Sequence, residues 1–407
     1  MRRTRTRRYI QVRNILNALL IALDIYGHMA VGVFVTNTRV IGLRESRFKV
    51  FILLGHLAAW PLFGLAQAFR LGGLSRFGRL LLAPFSLGRL WALAFTLLGL
   101  RSLLQEISRK MRHAPCPSEL LKSETLDLNM RDEILKVEGH QTSGARGLVN
   151  RLNQIYALEM TTHELRLGSL PKALDGFTIV QISDVHYGHY NSAEFIRRYV
   201  GIALDMKPDM VALTGDFQTY PDDVERAAQL LSPLGAWSSK ERGGVGALAV
   251  LGNHDRESGE APVTDALRQE GIKVLRNENV RIEKNGACIY VAGVADPWSY
   301  RADLDCALLG IPAGSCTILL AHVPDFLTTA SKRAVDLQLS GHNHGGQITL
   351  PFFGPLLVSS RYGRRYAEGF HKVGSTLMYV SRGLGGKPPV RWGACPELAR
   401  FVLRSGL

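Results

Sequence analysis

Cysteine is scarce in this 407-residue chain: there are five, an odd number, and no two form a Cys-x-x-Cys pair. That spacing indicates neither a disulfide-stapled mini-domain nor a thiolate zinc site. Low-complexity tracts and internal repeats are also missing, and 46% of the residues are hydrophobic, which excludes a mainly disordered chain. Acidic residues are almost absent from the start of the chain, where residues 1–113 hold 18 Lys and Arg against 3 Asp and Glu. The remainder is close to neutral, so the net charge of +14 belongs to the apolar N-terminal third. A basic stripe on a soluble domain would suggest phosphate-backbone binding, whereas basic clusters between apolar runs suggest membrane topology. The second pattern is the one present, and no nucleic-acid partner is expected.

Residues 1–107 are expected to form a helical transmembrane region with about three apolar segments. Val50–Phe69 has 20 residues without Asp, Glu, Lys or Arg, enough at 1.5 Å per residue to reach ~30 Å, one hydrocarbon core. Ile15–Val35 is nearly as apolar but carries Asp24 and His28, which suit either a polar contact inside a helix bundle or an interfacial, tilted helix. Leu80–Leu100 is interrupted by Arg89 and holds Pro84, so it reads either as one span or as a re-entrant segment followed by a helix. Six arginines before Ile15 favour a cytoplasmic N-terminus of a multi-pass protein of the cell (inner) membrane. Three spans would place the rest of the chain outside, and two or four would keep it inside. The opening stretch lacks the short apolar core and small-residue cleavage site of an export signal. Residues 108–160 turn polar and mixed in charge and are expected to form a helical linker, with helices near Glu119–Val137 and Gly147–Leu158.

From residue 161 to 407 short β-rich runs alternate with helical segments. Strands are expected at Phe177–Ile182, Met210–Leu213, Ala247–Val250, Cys288–Val294, Thr317–Leu320, Leu337–Leu339 and Leu377–Val380, with helices at Ala193–Met206 and Val224–Leu231. This alternation indicates an α/β domain with a buried sheet. Five of the strands are followed by Asp, Asn or His: Asp184 and His186, then Asp216, then Asn253, His254 and Asp255, then His322, then His342 and His344. Ligands collect outside the carboxyl ends of strands in α/β folds, so these side chains can converge. Imidazole and carboxylate together suit Mn, Fe or Zn rather than calcium. A carboxylate bridging two such ions ~3.5–4 Å apart serves in-line displacement at phosphorus, with the ions acidifying a water and neutralising phosphoryl oxygens. Gly215, Gly252 and Gly341 permit sharp turns beside the ligands.

The ordered set Asp-x-His, Gly-Asp, Gly-Asn-His-Asp, His and Gly-His-x-His resembles the calcineurin-like metallophosphoesterase superfamily over roughly Leu165–Leu403. Gly341 to Gln347 and Val380 to Gly385 extend the likeness. Within the superfamily the chain is similar to a membrane-anchored bacterial branch, which includes a UDP-2,3-diacylglucosamine pyrophosphatase of lipid A biosynthesis and envelope phosphodiesterases, and to an animal transmembrane metallophosphoesterase. The family usually has threonine where Asn343 stands. The resemblance implies a four-layer αββα sandwich and two divalent metal ions. It implies a first ion on Asp184, His186, Asp216 and His344, and a second on Asp216, Asn253, His322 and His342, with Asp216 bridging. It implies that His254 steadies the phosphoryl oxygen and protonates the leaving group, and that Asp255 orients His254.

The expected activity is hydrolysis of a phosphoester or pyrophosphate by metal-assisted attack on phosphorus, on an envelope or lipid-linked phosphorylated substrate such as a UDP-diacylglucosamine-type glycolipid. The alternative is a non-catalytic membrane scaffold or sensor on the same fold, which would have no need of His254. His163 and His371 are read as structural, and His189 as a surface or capping residue rather than a substrate contact. Arg361, Arg364 and Arg365 suit either an anionic contact or a solvated loop, and Phe352 and Phe353 suit core packing more than a lipid chain. No substrate-binding residue is assigned.

Overall fold

The computed structural model describes residues 117–129, 153–188, 191–241, 246–299, 301–350, 354–355, 358–386 and 390–406. The expected apolar segments of residues 1–107, and His189, Phe352 and Phe353, lie outside the described residues. Among the described residues no helix is long and apolar enough to cross a membrane.

Buried β-branched runs build the centre. The first is β3 in the order β1 (Leu120–Asn129), β2 (Ala157–Leu167) and β3 (Thr178–Ile182), followed by helix α1 (Ala193–Asp205) and β4 (Met210–Leu213). Then come α2 (Val224–Glu241), β5 (Ala247–Ala249), α3 (Asn253–Ser258), α4 (Glu260–Gln269), β6 (Lys273–Val274), β7 (Glu278–Lys284) and β8 (Ala287–Gly293). The remainder is α5 (Leu304–Ala307), β9 (Thr317–Leu320), α6 (Leu327–Ala330), β10 (Leu337–Ser340), β11 (Thr349–Leu350), β12 (Gly354–Pro355), β13 (Gly369–Val373), β14 (Thr376–Val380) and β15 (Glu397–Ser405).

Two sheets form. One has seven strands in the order β1-β2-β15-β3-β4-β5-β6, and the other six in the order β13-β14-β10-β9-β8-β7. Strand side chains alternate between faces, and the alternation sorts the core into layers. In β3 and β4, Val180, Ile182, Val211 and Leu213 face α1, α2 and α4, while Ile179, Met210 and Ala212 face the second sheet. On the far side of that sheet Ala292, Leu319 and Ala321 pack on α5 and α6 through Leu304, Ala307 and Ala330. The result is helix, sheet, sheet, helix, the layering that the family resemblance implies. Helix α1 shows how local chemistry fixes an element. Ser192 caps it by accepting from Phe195 N at 3.3 Å, and Phe195, Ile196, Tyr199, Val200 and Ala203 form its buried stripe.

The expected helical linker fails in the described part of 108–160: Ala157 and Leu158, expected to end the second helix, already belong to β2. Leu120–Asn129, expected to be helical, is strand β1, paired antiparallel with β2 from Leu120 opposite Leu165 to Asn129 opposite Ala157. Its Leu, Lys and Glu content favours a helix locally, and its side chains are mostly exposed. What makes it a strand is the open edge of β2, a tertiary partner that local propensity does not register. The seven-stranded sheet therefore begins well before residue 161, and β2 and β15, which run parallel from Glu159 opposite Glu397, belong to it as well.

Candidate metal centre

The carboxyl ends of β3, β4 and β5 in one sheet and of β9 and β10 in the other point to the same place. The loops that leave them are cross-tied by main-chain and carboxylate bonds. His342 N donates to both oxygens of Asp184 at 3.1 Å, and Asp184 N donates to Gly215 O at 2.9 Å. Gly341 allows the two sheets to approach this closely: a Cβ there would lie 1.9 Å from Ser183 Oγ and 2.3 Å from Asp184 Oδ2. Gly252 is just as constrained, since its Cβ would sit 2.2 Å from Asp216 Oδ1.

Three overlapping groups of ligand atoms result, each within 4.8 Å of one another: Asp184, His186 and His344; His186, Asp216 and His254; and Asp216, His322 and His342. His186 and Asp216 each belong to two groups, so the three form one continuous cage. Inside it His186 Nε2 lies 3.3 Å from His344 Nε2 and 3.6 Å from Asp216 Oδ2. On the other side His322 Nε2 lies 3.4 Å from Asp216 Oδ2 and 3.2 Å from His342 Nδ1. Five of these residues sit in the left-handed backbone region: Asp184 (φ 52°), His186 (47°), Asp216 (57°), His342 (72°) and His344 (51°). Such conformations cost on the order of 1 kcal/mol or more apiece and gather where a fold holds side chains for function.

The donor set fits divalent cations. Burial keeps three imidazoles neutral: it pulls His186 and His342 down to about 3 and His344 well below its usual range. A neutral imidazole keeps one nitrogen lone pair with which it can ligate a cation. His322 is turned by its other nitrogen, since Nδ1 donates to Thr214 O at 2.6 Å and leaves Nε2 for the cage. Burial opposes its charge, yet the adjoining Asp216 raises it to about 10. Burial opposes the charge of Asp216, but His322 together with His186 and His254 holds it well below the carboxylate range, whereas burial pushes Asp184 up to about 6. Asn253 is buried, and its Oδ1 has no hydrogen-bond partner. A buried amide oxygen without a donor is costly unless a cation takes it.

His254 stands at the mouth. Its ring centroid is 4.9 Å from that of His186, its side chain is 21% exposed, and its N donates to Asp216 Oδ1 at 2.9 Å. Asp255 does not take the part expected of it. Its carboxylate is fully buried and accepts from Asp216 N and Gly252 N at 2.7 Å and from Phe217 N at 2.9 Å. It fastens the Asp216 turn to the Gly252 turn. Besides Asp216, a second carboxylate lies near the His254 ring: Glu257 Oε2 is 3.8 Å from Nδ1.

Several contributors carry no sequence signal. Ser183 Oγ donates to Asp184 Oδ2 at 2.5 Å, and Asn191 Nδ2 donates to Val185 O and His186 O. Asn343 donates to Tyr366 O at 2.7 Å and accepts from Ser359 N at 3.2 Å, tying the Arg361–Arg365 loop to the His342–His344 turn. Arg361 and Arg365 are exposed. His163 and His371 lie away from the cage, His163 packed against Phe370, Tyr379 and Phe401, and His371 near Glu368 O.

Residues 177–346 match the family described as calcineurin-like phosphoesterase. The chain is 34% identical over 270 residues to the uncharacterized metallophosphoesterase YkuE of Bacillus subtilis, covering 66% of this chain and 93% of that one. It is 28% identical over 232 residues to phosphodiesterase YaeI of Escherichia coli, covering 56% of this chain and 82% of that one. It is 31% identical over 280 residues to a bovine transmembrane protein with a metallophosphoesterase domain, covering 63% of this chain and 60% of the bovine one. With a family match that runs through every loop of the cage and a relative matched over nearly its whole length, the chain belongs to the calcineurin-like metallophosphoesterases and is a metal-dependent phosphoesterase.

Proposed function

We propose that the chain is a membrane-anchored phosphohydrolase that works with two divalent ions of the Mn, Fe or Zn type and acts on an amphiphilic, lipid-linked phosphoester or pyrophosphate. The observation that carries the dinuclear reading is that Asp216 belongs to two ligand groups, one with His186 and one with His322 and His342. Asp184, His186 and His344 would hold one ion, Asn253, His322 and His342 the other, and Asp216 both. Ions held there supply Lewis acidity, which activates water and offsets charge on the phosphoryl oxygens.

The chain's own residues do the rest. The main-chain bonds of Asp184 and Asp255 keep the ligand loops in place before substrate arrives, so little reorganisation accompanies reaction. His254, beside the cage and partly open to solvent, reaches the phosphoryl group with a ring that can hold a proton. With Nδ1 toward Glu257, it offers Nε2 to the leaving oxygen. The lipid-linked substrate and the membrane anchor are supported by the basic, apolar character of residues 1–113 and by the transmembrane description of the bovine relative. Anchoring raises the effective concentration of a substrate confined to the same bilayer.

Hydrolysis of an aryl phosphodiester with Mn²⁺ tests the chemistry. Asp216→Ala and His254→Ala should each lose activity by about a hundredfold or more; wild-type rates in both would refute it. Rapid cleavage of soluble nucleotides with no action on lipid-linked pyrophosphates would refute the substrate class and leave the chemistry standing.

A further inference from the structure

Arg391 is the largest fully buried side chain among the described residues, at 0% exposure, although its neighbours Val390 and Trp392 are 38% and 51% exposed. A guanidinium taken out of water is costly unless its donors and its charge are met. Apart from the His344 ring, every acceptor that meets this one is a main-chain carbonyl. Nε donates to Gly385 O at 3.1 Å, and Nη2 donates to Gly385 O and to Gly383 O, the latter at 3.3 Å. Nη1 donates to Ala394 O at 3.2 Å and to His344 O at 3.4 Å, and Nη2 lies 3.4 Å from His344 Nδ1. The favourable charge acting on it comes first from Asp184. A buried cation is thus set behind one side of the cage.

The carbonyls it gathers belong to a segment that is itself bonded to the other ligand loop. Gly385 N donates to Asp184 O at 2.7 Å and Leu384 N to Ser183 O at 3.0 Å. The fit allows no slack: a Cβ on Gly383 would lie 2.5 Å from Asp184 Cβ, and one on Gly385 would lie 2.9 Å from His186 Cβ. Through the Gly383–Gly385 segment Arg391 braces Asp184 and His186, and directly it braces His344. These are the members of one ligand group. None of its bonds reaches Asn253, His322 or His342.

We propose that Arg391 is a positioning residue that sets the divalent-cation affinity of the Asp184–His186–His344 half of the cage, without touching the cation or the substrate. The inference rests on the dinuclear reading above. It requires the planar, multiply donating fork of arginine, which a lysine ammonium does not reproduce.

The test is calorimetric titration of Mn²⁺ into the metal-stripped full chain, for wild type, Arg391→Lys and Arg391→Gln, with circular dichroism and thermal unfolding alongside. Wild type should show two binding events. Each variant should keep one at wild-type affinity and weaken the other by about tenfold or more, the range typical of groups that orient metal ligands. His344→Ala should weaken the same event, and its combination with Arg391→Gln should add little. Asn253→Ala should weaken the other event. If Arg391→Gln does not fold, Arg391→Lys decides. Two wild-type affinities in the lysine variant, or equal weakening of both events with a lowered unfolding temperature, overturn the proposal and leave the dinuclear reading intact. No binding by wild type overturns the dinuclear reading itself.

Discussion

Asp255 offers a sharp discrimination between two accounts of the same residue. If it oriented the His254 ring, Asp255→Asn would change the pH dependence of turnover and leave stability nearly untouched. The structure instead gives its carboxylate three buried main-chain donors, Asp216 N, Gly252 N and Phe217 N. An asparagine can place its single oxygen where Oδ2 stands and keep two of them. The amide nitrogen then faces Phe217 N, donor against donor. One stranded buried N–H costs ~1–3 kcal/mol, so Asp255→Asn should lower the unfolding free energy by about 2 kcal/mol. Asp255→Ala strands all three and should lower it by ~4–6 kcal/mol, with some relief from water entering the gap. Because the bonds lie between the turns that present Asp216 and Asn253, both variants should also bind Mn²⁺ more weakly. Denaturant unfolding at pH 7 measures the first effect and Mn²⁺ titration the second. An asparagine variant as stable as wild type, altered only in the acid or alkaline limb of its pH–rate profile, would refute this reasoning.

Acid should destabilise the fold through His163, which burial pulls down to about 4 from 6.5 against the raising influence of Glu397. Neutral in the fold, it contributes stability that is complete above pH 6.5 and lost as pH falls toward 4, about 3 kcal/mol in all. Unfolding curves at pH 7 and pH 4.5 should therefore converge in His163→Gln relative to wild type; an unchanged pH sensitivity contradicts this. Gly252→Ala drives a methyl to 2.2 Å from Asp216 Oδ1, and should abolish Mn²⁺-dependent hydrolysis while far-ultraviolet circular dichroism stays native in shape. Retained hydrolysis would show that the Asp216 turn can yield.

Much of the site was legible because its chemistry is carried by residue types that strand-end loops display in order. Asp184, His186, Asp216, His322, His342 and His344 meet where the spacing suggests, since β3, β4, β9 and β10 are short and buried on both faces. Met210–Leu213 and Thr317–Leu320 occupy the residues their pattern indicates. Strand β1 was not legible, because its identity comes from the edge it pairs with and not from its own Leu, Lys and Glu. Asp255 misled because adjacency to His254 in the chain says nothing about direction. Their positions at the start of α3 turn its carboxylate back onto the preceding amides, where an acidic residue at the third helical position belongs. Arg391 gave no signal at all: an arginine between Pro389 and Trp392 reads as surface, and only the carbonyls converging on it explain its burial.

The most direct test of the account is anomalous diffraction from crystals of the chain equilibrated with Mn²⁺. Two peaks ~3.5–4 Å apart, with Asp216 between them, are predicted. The absence of any peak in the cage, or a single peak out of reach of Asp216, would contradict the claim that this carboxylate joins two cations.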